Sequence, residues 1–146
     1  MRIIEIILLF AMIPFLCLGQ APYKANVAIV PVSDTNFFYY KISNLLKDNG
    51  YHIDKASKNP FSITTGPKVI SGDVTMNLRI MIKEDLEVLV TGNTFIPNVG
   101  TTPIENLGMR GSPAESCWKE LDKMAKKLGK KVNYRIDEPY KVMQSL

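Results

Sequence analysis

The chain has 146 residues, of which 46% are apolar and 22% charged, with two cysteines, one histidine and a formal charge of +4. That is the size of one ordinary globular domain. Glycine, proline and cysteine are too sparse for a collagen repeat, a disordered chain or a disulfide-stapled miniprotein.

Met1-Arg2 leads into an isoleucine- and leucine-rich run that contains Glu5 and ends at Pro14. At about 13 residues the run is shorter than the roughly 20 needed to cross a bilayer. Cys17-Leu18-Gly19 places small residues at the third-last and last positions before a cut, so residues 1–19 read as a secretory signal peptide cleaved before Gln20. Two other fates stay open. A lipoprotein would be acylated at Cys17, although Leu16 is bulky where that machinery wants a small residue, and a retained anchor would keep the run with Glu5 inside it. Loss of the leader removes Arg2, Glu5 and Cys17, so the charge of +4 persists and Cys117 has no internal partner. An exported domain of this kind must be held by its core rather than by cross-links.

Residues 26–32, Asn-Val-Ala-Ile-Val-Pro-Val, are apolar without alternation, which predicts a strand covered on both faces. Ser33 or Asp34 can cap a helix whose stripe is Phe38, Ile42, Leu45 and Leu46, and Asn49-Gly50 should stop it. Tyr51 and Ile53 alternate with His52 and Asp54 as a short strand that enters a turn over residues 55–60. A second short strand follows at Phe61-Ser62-Ile63-Thr64-Thr65, closed by Gly66-Pro67. Strict alternation of Val74, Met76, Leu78, Ile80 and Ile82 with polar neighbours predicts a long antiparallel strand. Lys83-Glu84-Asp85 turns it back into a partner over residues 86–94. Residues 95–111, with three glycines and two prolines, read as one long loop. Ser112-Pro113-Ala114-Glu115 is a capping box with proline at the first helical position. The helix it starts carries Cys117, Trp118, Leu121, Met124, Ala125 and Leu128 on one face and ends at Gly129. A last short strand is expected within residues 132–136 and a frayed tail over 137–146.

The fold expected from this order is α+β: a curved antiparallel sheet of four to five strands with two helices on one face, β-α-β-β-β-β-α, in a single domain over residues 20–136. The run Leu45-Leu46-Lys47-Asp48-Asn49-Gly50-Tyr51-His52-Ile53, then Phe61-Ser62-Ile63-Thr64-Thr65 and the long alternating hairpin, resembles small exported bacterial proteins of helix-grip type. In element order it is similar to the globular domains of the lipoprotein partner in outer-membrane β-barrel assembly. The Gln20 start after a glycine is similar to that of many exported Bacteroidetes proteins. This resemblance spans residues 26–129 and implies a helix-grip-like fold and an envelope location; it transfers no catalytic residue.

No reaction is named by the residues. With a single histidine and, after export, a single cysteine, a metal site is poorly supplied, and no phosphate loop or dinucleotide fingerprint is present, so no metal and no cofactor is expected. Glu84, Asp85 and Glu87 surround a turn, where solvated carboxylates are the rule. Cys117 as a nucleophile would need His52 as its base, and a buried, inert thiol is the simpler reading.

Two surfaces remain as candidates. Lys119, Lys123, Lys126, Lys127, Lys130 and Lys131 concentrate charge on and beyond the last helix, where they either solvate it and offset its dipole or meet an anionic membrane surface or acidic protein. Aromatic residues are not interleaved with them, so nucleic acid is not expected as a partner. Thr101, Thr102, Asn106, Met109 and Arg110 mark the long loop as a candidate recognition loop. The sequence thus points to a non-enzymatic envelope or secreted domain that binds a protein partner or a membrane surface. The alternative is a small lipid or apolar-ligand carrier using the space between the sheet and the C-terminal helix.

Overall fold

The structure, a computed structural model, describes residues 21–35 and 38–137. The signal-peptide segment, the residues just before Phe38 and most of the expected tail lie outside the described residues. In chain order the elements are β1 (Val27–Pro31), α1 (Phe38–Asp48), β2 (Ile53–Lys58), β3 (Phe61–Thr65), β4 (Lys68–Ser71), β5 (Val74–Ile82), β6 (Glu87–Ile96), β7 (Gly100–Pro103), α2 (Pro113–Leu128) and β8 (Asn133–Arg135). The fold is α+β. Among the described residues it has two helices and one open sheet of eight strands, not the four to five expected. The strands that sequence reading missed, β4 and β7, are four residues long each, too short for a period-two pattern to stand out, while the short strand expected within residues 132–136 is β8.

The sheet runs β2-β3-β5-β6-β1-β8, with β4 also paired to β5 and β7 to β6. β3 and β4 lie along the same edge of β5 as one strand broken at Gly66-Pro67, and β1 and β7 share the same edge of β6. The alternation of β5 is expressed as a strict inward and outward pattern: Val74, Met76, Leu78 and Ile80 are buried while Thr75, Asn77, Arg79 and Met81 are half-buried. Together with Ala28, Val30, Ile63, Val88 and Val90, the inward residues form one core with Phe38, Ile42 and Leu46 of α1 and the whole apolar stripe of α2. A second, small cluster of Val27, Ile29 and Leu89 sits on the opposite face, which is why β1 lacks alternation.

The stop of α1 and the start of α2 follow their sequence signals. Gly50 adopts φ 77°, and the Tyr51 amide donates to the Leu46 carbonyl at 2.9 Å, closing α1. At α2 the Ser112 hydroxyl accepts from the Glu115 amide at 3.1 Å, while the Glu115 carboxylate accepts from the Gly111 amide. The turn expected over residues 55–60 is shorter, because β2 continues to Lys58 and pairs with Phe61.

Candidate functional site

The segment 95–111, expected to be a loop, is half sheet. Phe95 and Ile96 finish β6, and the Val99 amide donates to the Ile96 carbonyl at 3.1 Å across a turn with Pro97 second and Asn98, at φ 66°, third. Proline followed by a residue of positive φ is the signature of a type II turn. The chain returns as β7, with Ile96 opposite Gly100 and Asn93 opposite Pro103.

Beyond β7, residues 104–112 are pinned at both ends. Ile104 is buried and its amide donates to the Gly92 carbonyl at 3.0 Å. Asn106 exchanges backbone bonds with Lys24 and Ala25, and its side-chain amide donates to the Ala21 and Pro22 carbonyls at 2.9 and 3.2 Å. At the far end the Ser112 hydroxyl donates to the Met109 carbonyl at 2.8 Å. Lys119, and then the Gly111 amide, hold the Glu115 carboxyl below its ordinary value.

This pinned segment divides two concavities. On one side is an apolar cup of about 450 Å³, with Thr94 and Ile104 in its floor and Ile96, Leu107 and Pro113 in its walls. Its rim carries Val99 and Met109, 66% and 53% exposed. On the other side is a groove of about 530 Å³ lined by Tyr23, Asn106, Glu115, Trp118, Asp122 and Tyr134. The charged groups of the groove are already engaged with one another or with Tyr134. The Tyr134 hydroxyl donates to Asp122 Oδ1 at 2.6 Å, Lys126 pairs with Asp122 at 2.6 Å and Lys119 with Glu115 at 2.9 Å. Burial first, then the Asp122 carboxylate, raises the Tyr134 phenol far above its ordinary range, so it stays a donor.

The five loop residues expected to act together are separated. Thr102 and Met109 line the cup, Asn106 lines the groove with its amide spent on the N-terminal segment, Arg110 is exposed, and Thr101 borders a shallow dimple on the helix-free face of the sheet. Of the lysines, Lys119, Lys123 and Lys126 each pair with a carboxylate of their own helix, at 2.9, 3.4 and 2.6 Å, and Lys127 donates to Asn49 Oδ1 at 2.5 Å. Lys130 and Lys131 are exposed beyond the helix end. The cup residues Ile96, Val99 and Leu107 were not singled out by sequence reading. Their signal was present, however: large apolar side chains inside a glycine- and proline-rich stretch have no core period to serve.

The space between the sheet and α2 is filled by core: Met76, Leu78, Ile80, Val88, Val90 and Leu121 are fully buried and share one cluster. Cys117 belongs to the same core. Its sulfur lies 3.2 Å from Thr94 Oγ1, whereas His52 is exposed, and burial raises its thiol above the ordinary value. A colourless disulfide reagent such as dithionitrobenzoate should therefore react with Cys117 only as fast as the protein opens, and much faster in denaturant; equal rates would show an accessible thiol. Among the described residues no three potential metal-ligating side chains come together.

Next to this core, Lys68 Nζ lies 2.8 Å from both Glu120 Oε1 and the Asn49 carbonyl, and 4.4 Å from the centre of the Tyr51 ring. The Tyr51 hydroxyl donates towards Glu120 at 3.4 Å, and burial followed by the Glu120 charge raises its ionisation far above the ordinary phenol range. A tyrosine so fixed offers no base. The three side chains join the end of α1, β4 and α2, which is a structural clamp. No protein-family model and no curated protein matches the chain.

Proposed function

We propose that this chain is an exported, non-enzymatic binding domain of the cell envelope, helix-grip-like in arrangement, and that it takes an apolar group of a protein partner into the cup between β7 and α2. The observation that carries the reading is the rim: Val99 and Met109 stand 66% and 53% exposed over an apolar floor, on a segment fixed by backbone bonds and a helix cap. Rigid apolar concavities with exposed rims are where a few side chains supply most of an interface's energy. Lysines that spend their charge on neighbouring carboxylates favour this reading over a membrane surface. The apolar-ligand carrier, and the Bacteroidetes-like envelope setting implied by resemblance, belong to the same proposal as its variant and its context.

Photo-crosslinking separates these outcomes. A benzophenone side chain introduced in vivo at Val99 or Met109 should give adducts of protein mass, with position Lys130 silent. Lipid-mass adducts at Met109 would move the reading to the carrier. Adducts confined to Lys130 would move it to the basic surface.

A further inference from the structure

The helix-free face of the sheet, opposite the core and independent of the cup, carries a second feature where β4, β5, β6 and β7 lie side by side. Register places Val69, Thr75, Phe95 and Thr101 in one row across the four strands and Asn77, Asn93 and Pro103 in the next. Between these rows is a dimple of about 100 Å³ whose lining contains no ionisable side chain. Phe95 stands 47% exposed beside it. In a chain that is 22% charged, an uncharged patch of two amides, two hydroxyls and a ring is a distinct composition.

Its hydrogen-bonding capacity is largely unspent. Asn77 Oδ1 accepts from the Asn93 backbone amide at 3.1 Å, which fixes the Asn77 side chain and leaves its Nδ2 group without a protein partner among the described residues. Among the described residues the side-chain amide of Asn93 and the hydroxyls of Thr75 and Thr101 have no hydrogen-bond partner. An amide offers a donor and an acceptor together, and a threonine hydroxyl can do either. The backbone groups of β5 and β6 are committed to the ladder, so a peptide strand has nothing to pair with on this face. An anion would need cations in the lining.

We propose that this face binds a neutral oligosaccharide. A sugar ring has an apolar C–H face that packs on an aromatic ring and a rim of hydroxyls that both donate and accept. Phe95 supplies the platform, and Asn77, Asn93, Thr75 and Thr101 supply the partners on either side of it. The row across four strands spans about 14 Å at ordinary strand spacing, the length of two to three pyranose rings. Arg79, two residues beyond Asn77 on β5, is the charged neighbour on the same face, so a ligand recognised through charge would engage it instead.

The test is a titration of the isotope-labelled full chain with maltohexaose, cellohexaose, xylohexaose and chitohexaose, read by amide chemical shifts. At least one should shift residues 75, 77, 93, 95 and 101 saturably, with a dissociation constant of about 1 mM or tighter. Phe95→Ala and Asn93→Ala should each weaken binding about tenfold. Met109→Ala, in the cup, should leave it unchanged, as should raising salt to about 0.5 M. Both weakening variants alter outward side chains, and a dispersed spectrum verifies their folding. Absence of shifts with all four sugars at about 10 mM would overturn the proposal. So would binding that survives both substitutions, or shifts produced only by a sulfated oligosaccharide and abolished by salt.

Discussion

Gly92→Val should cost about 3 kcal/mol of stability, and Gly92→Ala about half as much. Gly92 lies in the middle of β6 opposite Leu78, and its carbonyl receives the Ile104 amide at 3.0 Å. A Cβ placed there would come 2.2 Å from the Asn77 carbonyl oxygen and 2.9 Å from Ile104 Cδ1. The first contact is with backbone and cannot be relieved by a rotamer change. Strands β5 and β6 would have to part at the point where the chain leaving β7 crosses towards α2. Valine adds two methyl groups in a space already filled by Ile104, which is 1% exposed. Urea unfolding of the single variants and of Gly92→Ala with Ile104→Val measures the effect. The double variant should lose less than the sum, because the smaller side chain yields part of the space. Unchanged midpoints for both glycine variants would mean that Ile104 does not pack over this position.

That glycine also marks how far sequence reading reaches. Long patterns translate directly: the alternation of Val74 to Ile82 became β5, and the capping box at Ser112 starts α2 at Pro113. The apolar stripe from Cys117 to Leu128 is buried at all six positions. Elements whose identity depends on distant chain are not readable in this way. β7 is Gly-Thr-Thr-Pro, with no apolar pattern, and is a strand only because the turn at Pro97-Asn98 returns it to β6. β4 is half of a strand that Gly66-Pro67 interrupts. The five marked residues of segment 95–111 face different ways, because β7 alternates across the sheet and the segment after it forms a wall between cup and groove. The lysine concentration was legible as composition. The pairing of Lys119, Lys123 and Lys126 with Glu115, Glu120 and Asp122 follows from helical three- and four-residue spacing and needed only to be weighed against it.

The clamp between α1, β4 and α2 yields the second large effect. Glu120 and Lys68 have side chains 15% and 24% exposed and meet at 2.8 Å. Burial alone would raise the Glu120 carboxyl; hydrogen bonds and charge from Lys68, with Lys123 added, outweigh it and hold the group below its ordinary value. A carboxyl whose folded pKa is depressed stabilises the fold above its unfolded value of about 4.3, and that stability is lost as pH falls through the folded value. Glu120→Ala should therefore cost about 2–3 kcal/mol near pH 7, since it leaves the Lys68 ammonium and the Tyr51 hydroxyl without their shared acceptor. The difference from the unaltered protein should begin to shrink as pH falls below the unfolded value of about 4.3, and so be smaller at pH 3 than at pH 7. Lys68→Met should also destabilise, by leaving the Glu120 carboxylate with Lys123 at 3.4 Å as its remaining cation. The double variant should then be less unstable than the two losses combined, because neither charge remains in the half-buried site. Urea unfolding of the three variants at both pH values decides it. A Glu120→Ala loss that is the same at pH 7 and pH 3 would show that side-chain packing, not the carboxylate, joins the two helices through β4.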